Sequence, residues 1–257
     1  MNYKIAFHSD IGIAKDTNQD SCCVLEAETA KGNVLMAMVC DGMGGLAKGE
    51  VASATLIRRF VNWFEQELPE VLQHENPVEE VKYRWGRIIK EQNQNIAEYG
   101  RNLHIQLGST ITIILFFEDD TYIIGHVGDS RAYKVMDDKI NLLTIDQTVV
   151  AREVRMGRMT SEQAAVDPRR NVLLQCVGAS KVVEPEFYFG KAMKNECYML
   201  CSDGFRHVVN VNEIQNMFSP MRNADEAQMK TNIVKLIELN KTRNERDNIT
   251  SVLIKVE

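Results

Sequence analysis

Four aspartates of this 257-residue chain, Asp20, Asp41, Asp203 and Asp247, share one setting: each stands where an apolar stretch begins or ends beside a turn. Asp41 is the clearest case. The run 34–40, Val-Leu-Met-Ala-Met-Val-Cys, carries no charge and has the length of a buried strand. It stops at Asp41, and Gly42, Gly44 and Gly45 follow, a turn that can adopt left-handed dihedrals and let a ligand approach the main chain. A carboxylate beside bare carbonyl oxygens is the hard-oxygen surface that Mg2+ or Mn2+ selects. Taken alone, one such turn is equally well an ordinary strand-to-helix connection. Four acids converging at one rim are different, because carboxylates raise each other's pKa and stay ionised together only with a compensating cation. Divalent ions are the natural compensation. A pair of them about 3.5–4 Å apart clamps a phosphoryl group and activates a water for in-line attack.

The elements that must position these acids can be read from the periodicity. Strands are predicted over 3–8 and 21–26, and the hairpin loop 29–33 leads into the core strand that ends at Asp41. Over 50–68, Val51, Thr55, Leu56, Phe60, Phe64 and Leu68 recur at helical spacing, so an amphipathic helix should cover a sheet. Asn76-Pro77-Val78-Glu79 is a capped helix start, and Val78, Val81, Trp85, Ile88, Ile89, Gln92 and Ile96 form its buried stripe. Both tryptophans read as core anchors. A block of strands follows over 107–117, 121–127, 131–136 and 139–143, with connectors at 118–120 and 137–138 short enough for antiparallel hairpins. The polar stretch 146–171 suggests short helices or a surface flap that carries specificity. Strands return over 184–189 and 196–201, a helix over 225–239 and a last strand over 249–256. Paired helices and blocked strands indicate an α+β fold, not alternating βαβ units. With no repeat or low-complexity linker, residues 1–257 read as a single domain.

Composition narrows the function. A hydrophobic content of 44% and a charged content of 26% are those of a globular chain, and a formal charge of −6 argues against a partner bound by phosphate neutralisation, such as nucleic acid. Cys22, Cys23, Cys40, Cys176, Cys197 and Cys201 contain no C-x-x-C pair, which suits buried thiols in a reducing compartment. Without a signal-like start or a run of about 18 apolar residues, a cytoplasmic protein with no membrane span is expected.

The order of motifs resembles the metal-dependent serine/threonine protein phosphatases of the type 2C class, the PPM family, in a bacterial form. The resemblance rests on Gly12 with Asn18-Gln19-Asp20, Asp41-Gly42-Met43-Gly44-Gly45, Gly49-Glu50-Val51-Ala52-Ser53, Gly108-Ser109-Thr110, Gly128-Asp129-Ser130-Arg131-Ala132-Tyr133, Ser202-Asp203-Gly204 and Asp247-Asn248-Ile249-Thr250. These motifs span nearly the whole chain. The resemblance implies a four-layer α-β-β-α sandwich of two antiparallel sheets flanked by helices, with two Mn2+ or Mg2+ ions at one end and a weaker third in many members. By position, Asp41 bridges both ions, the Gly42 carbonyl binds one, and Asp203 and Asp247 complete the other. Asp20 holds water around them, Asp129 with Asp203 serves the third ion, and Asn248 orients its neighbours beside the substrate. Hydrolysis of phosphoserine and phosphothreonine in phosphorylated proteins, the products of a serine/threonine kinase, is the implied activity.

Four positions depart from the family pattern. Lys15 stands where an arginine usually grips the substrate phosphate, Gln19 replaces a glutamate, and Met43 takes the place of a histidine that protonates the leaving group in eukaryotic members. His207 falls where an aspartate often supports the third ion, and the sequence leaves open whether that site survives. Cys40 lacks the phosphate loop and arginine of a cysteine phosphatase. His8, His126 and Arg131 read as structural, whereas Arg152, Arg155, Arg158, Arg169 and Arg170 either greet acidic phosphopeptides or form a solvated face. A catalytically silent phosphoprotein-binding module of the same fold is the rival reading. Retention of Asp41, Asp203 and Asp247 together argues against it.

Overall fold

The computed structural model describes residues 1–30, 32–43 and 48–257. Lys31, Gly44 and Gly45 lie outside the described residues. Among the described residues, ten strands form two five-stranded sheets. The first has the order β1 (Tyr3–Asp10), β10 (Ile249–Val256), β9 (Cys197–Cys201), β6 (Arg131–Val135) and β7 (Ile140–Leu142). The second runs β2 (Asp20–Thr29), β3 (Gly32–Asp41), β4 (Ile111–Phe116), β5 (Thr121–Val127) and β8 (Glu186–Lys191). Every pairing is antiparallel.

The uncharged run ending at Asp41 is explained by burial on both faces of β3. Successive side chains of a strand point to opposite sides. Val34, Met36, Met38 and Cys40 enter the core shared with the helices, whereas Leu35, Ala37 and Val39 enter the core between the sheets. The helical core is made by α1 (Gly49–Gln66) and α3 (Pro77–Leu103), with α2 (Leu68–Val71) between them. Trp63 and Trp85 are fully buried there and meet edge to face at 5.5 Å, while Phe60 packs on Trp85 at 5.8 Å. Each such apolar side chain contributes roughly 1.5–3 kcal/mol by leaving water. On the far side, α6 (Asp203–Arg206), α7 (Val211–Phe218) and α8 (Glu226–Thr242) cover the first sheet through Phe205, Phe218, Ile233 and Leu236. The order of layers is therefore α-β-β-α, as the motif resemblance implies.

Asn76 caps α3 by accepting from the Glu79 amide, and Pro77 opens the helix. The stripe from Val81 to Ile96 is buried as its spacing predicts, with Val78 partly covered. In α1, Leu56, Phe60 and Phe64 are buried as their spacing predicts. Ala52, Ser53 and Trp63 are buried, whereas Val51 and Thr55 are only half-buried. The connectors 118–120 and 137–138 do make hairpins, joining β4 to β5 and β6 to β7. Between β5 and β6, however, the chain crosses from one sheet to the other through Gly128-Asp129-Ser130, with Gly128 at φ 109°. The flap contains α4 (Val149–Arg155), capped by Thr148, and α5 (Ser161–Val166), opened by a Thr160/Gln163 capping box. No helix among the described residues is long and apolar enough to cross a membrane, and all six cysteines are free thiols.

Candidate active site

Strand register brings the acids to one end of the sandwich. Asp20 opens β2 directly opposite Asp41 at the end of β3. In the other sheet, Cys201 ends β9 just before Asp203, and Ile249 opens β10 just after Asp247 and Asn248. Asp129 lies in the crossover between the sheets. Two sequence-distant pairs thus face each other across the seam. Ser202 ties them by donating from its hydroxyl to Asp20 Oδ2 at 2.7 Å.

The turn after Asp41 is held by the Gly108-Ser109-Thr110 motif. The Asp41 amide donates to Thr110 Oγ1 and the Thr110 amide donates to the Asp41 carbonyl, both at 2.9 Å, while the Met43 amide donates to the Gly108 carbonyl at 3.1 Å. On the other side the Gly42 amide donates to the Gln19 carbonyl at 3.1 Å. A side chain at residue 42 would put its Cβ 2.4 Å from the Gln19 carbonyl oxygen and 2.5 Å from that of Gly49. Only glycine lets the start of α1 seat against this turn. Ser53, one turn into α1, donates to the Gln19 carbonyl at 2.7 Å and completes the clamp.

Burial sets the electrostatics. It pushes the Asp41 carboxyl well above the ordinary range, and Asp20, Asp203, Asp129 and Asp247 push it further. Asp20 is raised to about 7 by burial and by Asp203 and Asp247, against hydrogen bonds from Thr250 and Ser202 that oppose the rise. Asp129 is raised to about 7 by burial and by Asp203, while Arg206 opposes. Burial also raises Asp203, but the hydrogen bond and charge of His207 overcome it and leave this acid at about 2. Mutual repulsion of this kind calls for cations.

The chain supplies several itself. Lys15 Nζ lies 2.9 Å from Asp247 Oδ1, so this lysine does not point into solvent. His207 sits between Asp203 and Glu245, with Nε2 3.2 Å from Asp203 Oδ2 and Nδ1 3.3 Å from Glu245 Oε2. Burial disfavours its charge, but those two carboxylates prevail and raise its pKa to about 10. Arg206 donates to the Asp129 carbonyl at 2.9 Å and stands 3.7 Å from Asp129 Oδ2. Among the described residues, no group of three or more His, Cys, Asp or Glu side chains is set to hold a metal ion as it stands. The donor set nevertheless fits hard divalent ions: Asp203 Oδ1 is buried with no hydrogen-bond partner, and Asp41 is among the groups beside this carboxyl, with His207 and Arg206.

Several expectations take a definite form. Asn248 spends its amide on the backbone, accepting from the Gln19 amide at 2.9 Å and donating to the carbonyls of Ile11 and Thr17 at 2.9 and 3.2 Å. It therefore reaches the site through the loop that carries Lys15, not by open contact with a substrate. Arg131 makes a two-pronged ion pair with Asp146, each contact 2.7 Å, and is structural. His126 is buried between Thr112 Oγ1 and the Ile145 carbonyl, and burial lowers its pKa to about 4. His8 lies in β1, with Lys230 Nζ 3.1 Å from its Nδ1. Cys40 is buried and its thiol is pushed far up, so it is no nucleophile. Of the flap arginines, Arg152 and Arg158 pair with Glu153 and Arg169 pairs with Asp167, whereas Arg155 and Arg170 line a cleft of about 640 Å3 that reaches Asp129 and His207. Arg206, Glu245 and Thr110 carry no such roles in the sequence reading. Arg206 and Glu245 lie next to acid motifs, and Thr110 belongs to the Gly108-Ser109-Thr110 motif.

The model of the protein phosphatase 2C family matches residues 13–238. A putative protein phosphatase 2C-type of Streptococcus pyogenes is 28% identical over 253 residues, spanning 98% of this chain and 96% of that one. The serine/threonine phosphatase stp of Listeria monocytogenes is 28% identical over 221 residues, 86% of this chain and 84% of its own. Among solved structures, Stp1 from Staphylococcus aureus superposes with a TM-score of 0.85 at 27% identity, covering 100% of this chain and 96% of that one. The catalytic domain of PstP, solved in complex with two manganese ions, gives 0.78 at 27% identity over 99% of both chains.

Proposed function

This chain belongs to the protein phosphatase 2C family, and on that premise we propose how its own residues carry out phosphoprotein hydrolysis. It is a metal-dependent serine/threonine protein phosphatase. The observation that carries the assignment of residues is the convergence of Asp20, Asp41, Asp203 and Asp247 from both sheets on one rim. Asp41 and the Gly42 carbonyl would hold one Mn2+ or Mg2+, and Asp41, Asp203 and Asp247 would hold the second. When bound, the two ions supply the Lewis acidity that activates water and neutralises the phosphoryl oxygens.

The protein's own contribution is position. Thr110 and Gln19 fix the Asp41 turn from either side, so the carboxylate and the Gly42 carbonyl keep one geometry through the reaction. Ser202 orients Asp20 by donating to its Oδ2, so that this carboxyl would hold water beside the ions. Asn248 holds the 11–17 loop so that Lys15 stands at the edge of the acids and can meet a phosphate oxygen as a point charge. Asp203 stays ionised because His207 is bound to it. The substrates are proteins phosphorylated by a serine/threonine kinase, and the six free thiols suit a reducing cytoplasm. Hydrolysis of a phosphothreonine peptide with Mn2+, with Mg2+ and with chelator tests the reading. Turnover restored by either ion and abolished by chelator is expected; full turnover in chelated protein overturns it, and no turnover with any ion favours the silent phosphoprotein-binding module.

A further inference from the structure

The acids divide into two groups according to what the fold places beside them. At Asp41, Asp203 and Asp247 one carboxylate oxygen, Asp203 Oδ1, is buried without a partner, and the neighbouring cation is a partly exposed lysine paired with Asp247. At Asp129 the neighbour is a guanidinium built into the framework. Arg206 belongs to α6, the helix that starts at Asp203, and it donates to the Asp129 carbonyl, stands 3.7 Å from Asp129 Oδ2 and lies 3.5 Å from Asp146 Oδ2. Its side chain is 13% exposed and its Nε is buried, so it cannot swing into water as a surface arginine does. Asp146 is in turn gripped by both prongs of Arg131. On the other flank, the His207 ring fills the space between Asp203 and Glu245.

We propose that the Arg206 guanidinium provides the positive charge at the Asp129–Asp203 pair that a third metal ion would otherwise bring, and that the His207 ring fills the space on its flank, so that this phosphatase works with two bound ions and Asp129 is not a metal ligand. The proposal rests on the dinuclear reading above. A dication entering beside Asp129 would meet a fixed like charge within a few ångströms and would find an imidazole where it needs an oxygen donor. Arginine keeps its charge at every working pH, so the arrangement does not depend on loading. Holding Asp129 and Asp146 with one guanidinium also joins the crossover between the sheets to the base of the flap, which an exchangeable ion would do only while bound.

Equilibrium dialysis against millimolar Mn2+ counts the ions, and anomalous scattering from Mn2+-soaked crystals locates them. The wild-type chain should hold two, and Asp129→Asn should also hold two. The double variant Arg206→Ser/His207→Asp should hold three, falling back to two when Asp129→Asn is added, while Arg206→Lys/His207→Asp, which keeps the charge, should stay at two. Three ions on the wild type with one lost in Asp129→Asn overturn the proposal without touching the dinuclear reading. A double variant that folds by circular dichroism and still holds two also overturns it. Fewer than two on the wild type instead counts against the dinuclear reading.

Discussion

Replacing Lys15 by alanine should loosen substrate and tighten metal at once. The ammonium lies 2.9 Å from Asp247 Oδ1, with the lysine and aspartate side chains 29% and 38% exposed. A partly wetted ion pair of this kind contributes about 0.2–1 kcal/mol. Removing it frees Asp247 from a competing cation, so the Mn2+ dissociation constant should fall by about 1.5- to 5-fold. The same ammonium is the proposed contact to the substrate phosphate. A charge-assisted hydrogen bond is worth roughly 1.5–3 kcal/mol, and the exposure of the site argues for the lower bound, so KM for a phosphopeptide should rise by about 10-fold. Uniform binding of this type leaves kcat little changed. Lys15→Arg should lower KM below that of the wild type, because a guanidinium fork meets two phosphate oxygens together. Calorimetry with Mn2+ and steady-state kinetics at saturating Mn2+ read the two effects separately. If KM is unchanged in both variants, Lys15 does not touch the phosphate. If Mn2+ binds more weakly to Lys15→Ala, the lysine does not compete for Asp247.

Asp41→Asn should reduce turnover to background while the thermal midpoint of the metal-free protein holds or rises, because a neutral amide relieves the repulsion that raises this carboxyl; calorimetric unfolding with parallel assays decides, and wild-type turnover would remove Asp41 from the metal set. Gly204→Ala should destabilise the protein and weaken Mn2+ binding, since the new Cβ would fall 2.2 Å from the Asn248 carbonyl oxygen, and an unchanged melting curve with unchanged Mn2+ affinity would refute the tight seating of α6. His126 is held neutral in the fold down to about pH 4, whereas the unfolded chain takes up the proton near 6.5, so its contribution is fully present above 6.5 and is lost as pH falls towards 4. The loss amounts to about 3 kcal/mol; urea denaturation at pH 7 and 4.5 should show it in the wild type and not in His126→Asn, and equal pH slopes would refute it.

What was legible in the sequence follows from where the information is local. The four acids could be found because each interrupts an apolar run, and a strand end leaves that mark whichever sheet it joins. The stripe of α3 could be read because large residues repeat at helical spacing. In α1 the spacing found Leu56, Phe60 and Phe64 but not the first turn, since Gly49, Ala52 and Ser53 sit close to the Gly42 turn and the bulk that periodicity detects is absent there. Short α7 escaped the reading although Asn210 and Glu213 form a capping box around its start. The pairing of Lys15 with Asp247, and of His207 with Glu245, joins residues that only the closed sandwich brings together. No spacing rule announces such pairs.

The placement of the acids on two different sheets gives the ions a mechanical part as well as a chemical one. The core between the sheets is packed by apolar contacts such as Phe116 against Tyr198, at 5.0 Å, and those contacts hold distance without fixing the slide of one sheet over the other. A dication held as proposed by Asp41, from the second sheet, and by Asp203 and Asp247, from the first, would act as a rivet at one end of that seam. Shear between the layers would then be resisted most at the end where chemistry occurs. Hydrogen exchange should accordingly slow on Mn2+ binding at Cys40, Cys201 and Ile249, and stay as it was at Val34, Cys197 and Val256, so that metal loading is felt as a gradient of stiffness along the strands.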